Sequence, residues 1–426
     1  MPPFRRLGGK FRKSLKLKTR QKKSKTLHTM NKIEIRNFGP IETGYDGMMP
    51  ICPVTIFCGT QGAGKSTVAK LISTFLWMEK ALVRGDLSLN KKTDNSAFFR
   101  QQCAFHRIHN YFKTNTEIHF TGTLYNFHYH AETFSIEKLP EAVEYPMPKI
   151  MYVPAERNFL TVVEHPETLK EIPDSLFVLF SEYNKALKSL NRQMALPIEG
   201  YSLQYDKLNN VSWLTGDNFK VRVSEAASGF QSLIPMIIVT HYIAHIVRSG
   251  IPASTNLQVT NAIEKRIASI LADDSIDENL RRLLISQQSA LLKYGKVINI
   301  VEEPEQNLYP SSQRSILFDL LSIHKAISNS QLIITTHSPY FIDYITLAIK
   351  AAAITPKTEE TARKLEAIVP SKSRIIGDDV CIYQIQNGQI TELGKYDNMP
   401  SDDNMLNQEL SDTNEMFAQL FEIEEE

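Results

Sequence analysis

The chain has 426 residues, 42% hydrophobic and 22% charged, with a formal net charge of +1. This composition predicts an ordinary globular protein of one elaborated domain or two to three small ones. No apolar run approaches the roughly 20 residues that span a bilayer, and no apolar segment follows the basic N-terminus, so we expect no membrane anchor, no secretory signal and a cytoplasmic location.

Residues 1–29 carry a concentrated positive charge. They hold eleven Lys or Arg residues and no acid, and because the whole chain has a net charge of only +1, the remainder is net acidic. A basic segment can neutralise phosphates, so one hypothesis is that DNA binds through residues 1–29. The alternative is a solvated, disordered tail that precedes the true start at Met30.

The first elements are predicted from alternating apolar residues. Ile33 and Ile35 alternate with polar residues before Phe38, which predicts that the fold begins with a strand at Asn31. The next predicted elements are a strand at 54–59, a helix from 65 to about 83, an antiparallel hairpin over 117–137 with turns at Gly122 and Asn126, and a strand at 149–153. Residues 158–200 are predicted to be mainly helical, 201–223 to be short strands around Gly216, and 229–293 to be two or three helices broken near Gly250 and Pro252.

Two apolar runs predict a parallel sheet. VINIV at 297–301 and QLIIT at 331–335 are typical of central strands covered on both faces, and a helix is predicted between them from about Ser311 to Ile327. Strand, helix, strand in this order implies a right-handed crossover. The last predicted elements are a hairpin that turns at Asn387 and Gly388, and an exposed amphipathic helix in the tail from Asp402, which holds nine acids and no base.

The four cysteines form no recognisable metal or disulfide pattern. They are Cys52, Cys58, Cys103 and Cys381, with no CxxC pair and no histidine at zinc-ligand spacing. We therefore expect reduced, mostly buried thiols.

The segment GTQGAGKST at 59–67 fits the phosphate-loop pattern G-x-x-x-x-G-K-[ST] and lies between a predicted strand and a predicted helix. Glycines let backbone N–H groups surround phosphates, Lys65 meets the β and γ phosphates, and Ser66 offers its hydroxyl to Mg²⁺. ATP and Mg²⁺ are therefore the expected cofactors, and the expected nucleotide contacts are Gly59, Gln61, Gly62, Ala63, Gly64, Lys65, Ser66 and Thr67.

Two carboxylates follow the apolar strand at 297–301. Glu302 is the candidate metal ligand, and Glu303 is the candidate that orients or activates the attacking water. Taken alone, such a pair is more often a solvated loop, but its position after a buried strand favours function. In TTHSP at 335–339, His337 also follows a strand and is expected to contact the γ-phosphate or the water.

The segment SEAASGFQSLIP at 224–235 begins a predicted helix. Ser228 is expected to be the N-cap, which leaves N–H groups free for an anion. Read alone, this pattern is simply a helix start.

These four motifs, in this order, resemble the ABC-ATPase superfamily over nearly all of residues 30–396. The pattern is most similar to its RecF-like and OLD-like branch, with EEPE at 302–305, SGxQ at 228–231 and THSP at 336–339. The resemblance implies that Ser228 and Gly229 contact the γ-phosphate bound on the opposite subunit, so that the site forms only in a homodimer or a higher oligomer. Gln231 of the same signature is expected to be a nucleotide-binding residue. Two departures are Phe230, where many relatives have a second glycine, and Glu302, where Asp is usual.

The resemblance also implies an α/β P-loop NTPase fold, an ABC-ATPase head with a mostly parallel central sheet, an antiparallel β subdomain and a helical lobe. The expected boundaries are a basic extension at 1–29, a core lobe at 30–157 and 296–396, a helical and signature lobe at 158–295, and an acidic segment at 397–426. VPAERN at 153–158 lies where the family has its Q-loop, and Glu156 or Arg157 is the candidate sensor there. The alternative is that these residues cap a helix or form an ion pair.

The functional hypothesis is an ATP-hydrolysing switch that controls a separate effector protein, a nuclease or a toxin. About ninety residues follow His337, too few for the nuclease domain of OLD proteins, and the chain shows no long coiled coil. It therefore resembles stand-alone ATPase subunits of anti-phage systems such as PARIS and Septu. The alternative is a DNA-binding, RecF-like repair or recombination ATPase. The net acidic charge of the chain after residue 29 argues against this alternative, because binding to duplex DNA needs a positive surface. A transporter subunit is the weakest of the three interpretations.

Overall fold

The computed structural model describes residues 30–87, 96–140, 144–163, 171–191, 193–250, 293–396 and 399–425, with a few positions between 265 and 273. The basic segment at 1–29 and most of the helical stretch expected after Gly250 lie outside these residues.

Within this part of the chain, the structure has seventeen strands and nine α-helices. The strands are β1 (Lys32–Phe38), β2 (Met49–Pro50), β3 (Val54–Gly59), β4 (Phe112–Thr121), β5 (Tyr125–His130), β6 (Thr133–Lys138), β7 (Pro148–Val153), β8 (Met194–Ala195), β9 (Ser202–Asp206), β10 (Val211–Thr215), β11 (Lys220–Arg222), β12 (Lys296–Glu302), β13 (Gln331–Thr336), β14 (Val380–Gln386), β15 (Gln389–Glu392), β16 (Lys395–Tyr396) and β17 (Met399–Pro400). The helices are α1 (Lys65–Arg84), α2 (Ser96–Ala104), α3 (Phe159–Val162), α4 (Asp174–Ser189), α5 (Ser228–Arg248), α6 (Pro310–Lys325), α7 (Pro339–Ala353), α8 (Glu359–Ile368) and α9 (Met405–Glu425).

A six-stranded central sheet carries the fold, in the order β15-β14-β3-β13-β12-β7. Its five strands from β14 to β7 are parallel, and β15 adds one antiparallel edge. Every residue of β3 and β12 is buried, which explains why their sequences are nearly continuous apolar runs. Strand β13 lies between β3 and β12, so the carboxyl ends of these three strands meet at one edge. The predicted mostly parallel α/β sheet is confirmed.

Alternate side chains of the sheet enter two separate cores. Ile56 of β3 packs in the cluster that includes α4, α5, α6 and α7. The next residue, Phe57, packs in the cluster that includes α1 and the second sheet. That second sheet is antiparallel, in the order β2-β1-β4-β5-β6, and it is the predicted β subdomain. Helix α1 therefore lies in the same core as this sheet, with the central sheet behind it.

The expected turn at Asn126 is wrong. Asn126 lies inside β5, opposite Thr121 of β4, and the chain turns instead at Ala131 and Glu132, which have φ values of 47° and 59°. The sequence gives no sign of this turn, because neither residue is a usual left-handed turn residue. By contrast, Asn387 and Gly388 have φ values of 49° and 73°, as the predicted type I′ hairpin requires.

The expectation that all four thiols are reduced is also wrong. Cys52 and Cys381 form a disulfide, with their Cα atoms 5.7 Å apart, whereas Cys58 and Cys103 are free and buried. Cys381 lies on β14, the parallel neighbour of β3, and Cys52 lies just before β3. The two cysteines are 329 residues apart, so only the strand order brings them together.

Among the described helices, α5 alone is long and apolar enough to cross a membrane. The expectation that no apolar run reaches this length is therefore wrong for Ser228–Arg248. The helix lies in the protein core, with 67% of its most apolar window buried, and burial accounts for its all-round apolar character.

Candidate active site

The phosphate loop joins β3 to α1, as its sequence predicts. Gly59, Gly62 and Gly64 all have positive φ values, of 154°, 78° and 110°. A Cβ at Gly59 would lie 2.3 Å from the carbonyl oxygen of Ile385, so this position requires glycine for close approach as well as for conformation. Gly64 caps α1 without a side-chain hydrogen bond, which leaves the first N–H groups of the helix for an anion.

Lys65 is buried and held by the loop itself. Its Nζ donates to the carbonyl oxygens of Gly59 at 2.9 Å and Thr60 at 2.8 Å. Burial lowers the pKa of Lys65, and the nearby negative charge of Glu303 opposes that shift. The ammonium group is therefore fixed at the inner side of the loop, where a bound phosphate would compensate its burial.

His337 connects Lys65 to Glu303. Its Nδ1 lies 3.3 Å from Lys65 Nζ, and its Nε2 lies 3.5 Å from Glu303 Oε1. Because the lysine ammonium can only donate, Nδ1 must accept, so a neutral imidazole carries its proton on Nε2 and directs it towards the carboxylate. The three groups predicted to meet at the sheet edge thus form one continuous chain of polar contacts.

Glu303 has an unusual backbone conformation. Its φ is 41°, and three hydrogen bonds hold its backbone. Its N–H donates to the carbonyl oxygen of Thr335 at 2.9 Å, and its own carbonyl oxygen accepts from Arg157 at 2.6 Å and from the N–H of Gln306 at 3.0 Å. Such a conformation in a non-glycine residue costs about 1–3 kcal/mol. The hydrogen bond from His337 lowers the pKa of Glu303, against the effect of burial, so the carboxylate is ionised at neutral pH.

Glu302 is buried and already has partners. One carboxylate oxygen accepts from the Tyr152 hydroxyl, the other accepts from the N–H of Ala155 at 3.0 Å, and Lys70 Nζ lies 3.8 Å away. Each oxygen keeps a further lone pair, so Glu302 can still take part in a metal shell directly or through water. The described residues contain no cluster of three or more His, Cys, Asp or Glu side chains that could hold a metal.

Glu305 holds the backbone of His337 through hydrogen bonds. Its Oε1 accepts from the Thr336 hydroxyl at 2.8 Å and from the His337 N–H at 2.7 Å. Burial raises the pKa of Glu305, and its second oxygen, Oε2, is buried with no hydrogen-bond partner. The third carboxylate of EEPE therefore sets the backbone that carries the histidine.

Arg157 is a buried anchor, which does not fit the expected sensor role at the Q-loop position. It is fully buried and donates to four carbonyl oxygens: those of Pro154 at 3.2 Å, Ser232 at 2.9 Å, Glu302 at 2.7 Å and Glu303 at 2.6 Å. Burial lowers the pKa of Arg157 to about 10. Its guanidinium joins α5 to the end of β12, and within the described residues it makes no hydrogen bond to the phosphate loop.

The signature residues lie at the start of α5. The N-cap is Ala227, without a side-chain hydrogen bond, so the expected N-cap role of Ser228 is wrong, and Ser228 is the exposed first residue of the helix. A Cβ at Gly229 would lie 2.6 Å from the carbonyl oxygen of Asn307, and Gln231 donates to Ser224 at 2.9 Å. Within the described residues no hydrogen bond joins these three residues to the phosphate loop of the same chain.

Sequence reasoning missed three contacts of this site. Tyr152 and Lys70 both approach Glu302, and their only sequence signal is position: Tyr152 is next to last in its strand, and Lys70 is one helical turn beyond Ser66. Glu305 was visible as part of EEPE, but nothing in the sequence showed which group it would bind.

One segment of the chain matches a known protein family. Residues 280–343, which contain β12, the EEPE segment and THSP, match a family model described as "AAA domain, putative AbiEii toxin, Type IV TA system". None of the curated proteins compared with the chain matches it. The family match covers less than half of the chain.

Among solved structures, similarity is found to the SMC head domain from Thermotoga maritima, at 8% identity and a TM-score of 0.34, covering 86% of this chain and 99% of that one. Similarity is also found to the recombination mediator protein RecF with ATP, at 11% identity and a TM-score of 0.28, covering 86% of this chain and 98% of that one. A nucleotide-free ATP-binding cassette of an ABC transporter is similar at 12% identity and a TM-score of 0.26, covering 87% of this chain and 92% of that one. These TM-scores are too low to carry an argument, so the P-loop ATPase fold rests on the strand order and the phosphate loop.

Proposed function

We propose that this chain is an ATP-binding and ATP-hydrolysing switch of the ABC type. The observation that carries the proposal is the polar chain from Lys65 through His337 to Glu303, at the edge where β3, β12 and β13 end. These groups supply a cation for the phosphates, a histidine beside the γ-phosphate position and an ionised carboxylate that can accept a proton from water.

Each side chain has a defined part in this reaction. Lys65 binds the β and γ phosphates in place of the two loop carbonyls. Glu303 orients the attacking water and takes its proton, and His337 holds the carboxylate by its Nε2–H. Glu305 and Arg157 keep the backbone of these two residues in place without contacting the substrate.

Mg²⁺ would be held by Ser66 and Glu302, with the remaining positions filled by phosphate oxygens and water. Such a shell with few protein ligands is usual for Mg²⁺ on a nucleotide, where the ion neutralises charge that develops on the phosphates. Glu302 suits this role because its position is fixed by Tyr152 and Ala155.

The site is proposed to be shared between two copies. Ser228 is exposed, the α5 N-terminus lacks a side-chain cap, and neither is joined to its own phosphate loop in the described residues. A second copy could therefore present its own Ser228 to this nucleotide. Mixing Lys65→Ala with Ser228→Arg should then restore about a quarter of the wild-type activity, because mixed dimers contain one intact site. Activity no higher than that of the separate variants would contradict a shared site.

The proposed output is control of a separate effector, a nuclease or toxin, in anti-phage defence. The family match supports this direction, since its description names a toxin and a type IV toxin–antitoxin system. The test is affinity purification of the Glu303→Gln variant with ATP, with Lys65→Ala as the matched control. A small nuclease or toxin that is retained only by Glu303→Gln supports the proposal, and recombination proteins in its place contradict it.

A second candidate is a RecF-like DNA repair or recombination ATPase, favoured by the eleven basic residues at 1–29. If these residues bind DNA, deleting them should reduce the dependence of affinity on salt concentration, because fewer counterions are released. An unchanged salt dependence would remove this role for the segment.

A further inference from the structure

A cavity of about 620 Å³ lies between helix α4 and the four-stranded sheet of β8 to β11. Helix α4 forms one wall, where Phe180, Tyr183 and Leu187 follow at the spacing of one helical face. The other walls come from α3, from the hairpin of β9 and β10, and from residues 222–224. A volume of this size is in the range of small-molecule binding sites, and no lining residue belongs to the phosphate loop or to the EEPE and THSP segments.

The cavity has a buried apolar floor and a polar mouth. Leu160, Leu187 and Val223 line it and are each at most 5% exposed. Lys188 and Arg222 line it as well, and both are exposed. Burying a polar group without a partner is costly, so a ligand that fills this space has an apolar part at the floor and a polar part at the mouth.

The charge at the mouth is positive. Among the described residues that line the cavity, Lys188 and Arg222 are the cations and none is acidic. Within the described chain neither cation donates a side-chain hydrogen bond or forms an ion pair. Their donors are therefore available to an anion, whereas a cationic ligand is repelled.

Aromatic side chains favour a planar ring as the apolar part of the ligand. Phe180, Tyr183 and Tyr205 all line the cavity. The Tyr205 hydroxyl donates to the Asn210 side chain, which holds the tyrosine ring in place. Aromatic side chains bind a ring by stacking or edge-to-face contact. The amide of Asn184, also in the lining, offers both a donor and an acceptor to the polar edge of a heterocycle.

We infer that this cavity binds a small anion that carries an aromatic ring, with the size and chemistry of a nucleoside monophosphate. The ring occupies the floor beside Tyr183 and Tyr205, and the anion binds Lys188 and Arg222 at the mouth. This ligand is distinct from the triphosphate at Lys65, since the two sites share no residue.

The cavity also contacts residues that hold the start of α5. Gln231 Nε2 donates to the carbonyl oxygen of Ser224 at 2.9 Å, and the Gln231 carbonyl oxygen accepts from the Thr161 hydroxyl at 3.2 Å. Both Ser224 and Thr161 line the cavity. A bound ligand is therefore expected to change the affinity for ATP through the signature helix, a consequence that rests on the proposed function, whereas the binding itself does not.

The test is calorimetric titration of the full chain carrying Lys65→Ala, which weakens nucleotide binding at the phosphate loop. Separate titrations with AMP, GMP, CMP and UMP should give one site per chain for at least one of them, with a Kd below about 1 mM. The matching nucleoside and inorganic phosphate should each bind about tenfold more weakly or worse, because each lacks one half of the ligand. If no monophosphate binds more tightly than its nucleoside, the inference is overturned.

Two variants locate the bound anion. Lys188→Ala and Arg222→Ala should each weaken binding of the monophosphate about tenfold or more, because a charged hydrogen bond is lost. The matched control is Lys185→Ala, an exposed cation of the same helix that does not line the cavity, and it should leave the affinity unchanged. Equal affinities in all three variants overturn the inference. So does a short oligonucleotide that binds more tightly than every monophosphate and is weakened by the same variants, since the ligand is then a nucleic acid. No hydrolysis is measured, so a negative result here is separate from a failure of the proposed ATPase.

Discussion

Replacing Arg157 by lysine tests the buried anchor behind the site. Arginine reaches four carbonyl oxygens at 2.6–3.2 Å with three nitrogen atoms. A lysine keeps the charge but has a single nitrogen, and no one nitrogen of Arg157 reaches more than two of these carbonyls, so lysine can satisfy at most two of them. Charged hydrogen bonds contribute about 1.5–3 kcal/mol each, so the loss of two should cost about 3–6 kcal/mol of unfolding free energy.

For a chain of this length, that loss lowers the Tm by roughly 3–6 °C. The assay is scanning calorimetry of Arg157→Lys, with Arg363→Lys as the matched control, because Arg363 is 82% exposed and its ion pair with Glu359 contributes little. ATP turnover should fall at least about tenfold in Arg157→Lys alone, since a single nitrogen cannot hold α5 and the backbone of Glu302 and Glu303 together as the guanidinium does. If Arg157→Lys melts within 1 °C of the control, roughly the resolution of the assay, the anchoring argument is refuted.

Two further residue sets give separate tests. Glu305→Gln keeps an oxygen acceptor for Thr336 and His337, so its kcat should stay within about threefold of wild type. In Glu305→Ala, kcat should fall about tenfold or more at an unchanged KM. Equal kcat values for the two variants would contradict the positioning role of Glu305. Because Cys52 and Cys381 form a disulfide, the Tm of the wild type should fall on addition of reductant. The Tm of the variant with both Cys52 and Cys381 replaced by serine should not change. A wild-type Tm that is unchanged by reductant would argue against the bond.

Local patterns predicted the parts of the site that are contiguous in sequence. The phosphate loop, the carboxylates after β12 and the histidine after β13 each follow a strand, and parallel strands end at the same edge. The convergence of Lys65, Glu303 and His337 could therefore be predicted. The distance of each from the others could not, because it depends on side-chain contacts across three strands.

Contacts between segments that are distant in the chain could not be predicted from sequence patterns. Arg157 binds the carbonyl of Ser232, 75 residues away, and Tyr152 binds Glu302, 150 residues away. Backbone carbonyls are present at every residue, so the sequence holds no sign of which ones an arginine will bind. The same limit applies to the Cys52–Cys381 pair, whose proximity follows from the placement of β14 beside β3.

The most direct measurement of the central claim is single-turnover ATP hydrolysis by Glu303→Gln, combined with sizing in the presence of ATP. The account predicts ATP binding close to that of the wild type, hydrolysis reduced by about a hundredfold or more, and an ATP-dependent increase in size. Hydrolysis at the wild-type rate by Glu303→Gln would contradict the claim that this carboxylate, His337 and Lys65 act on one triphosphate.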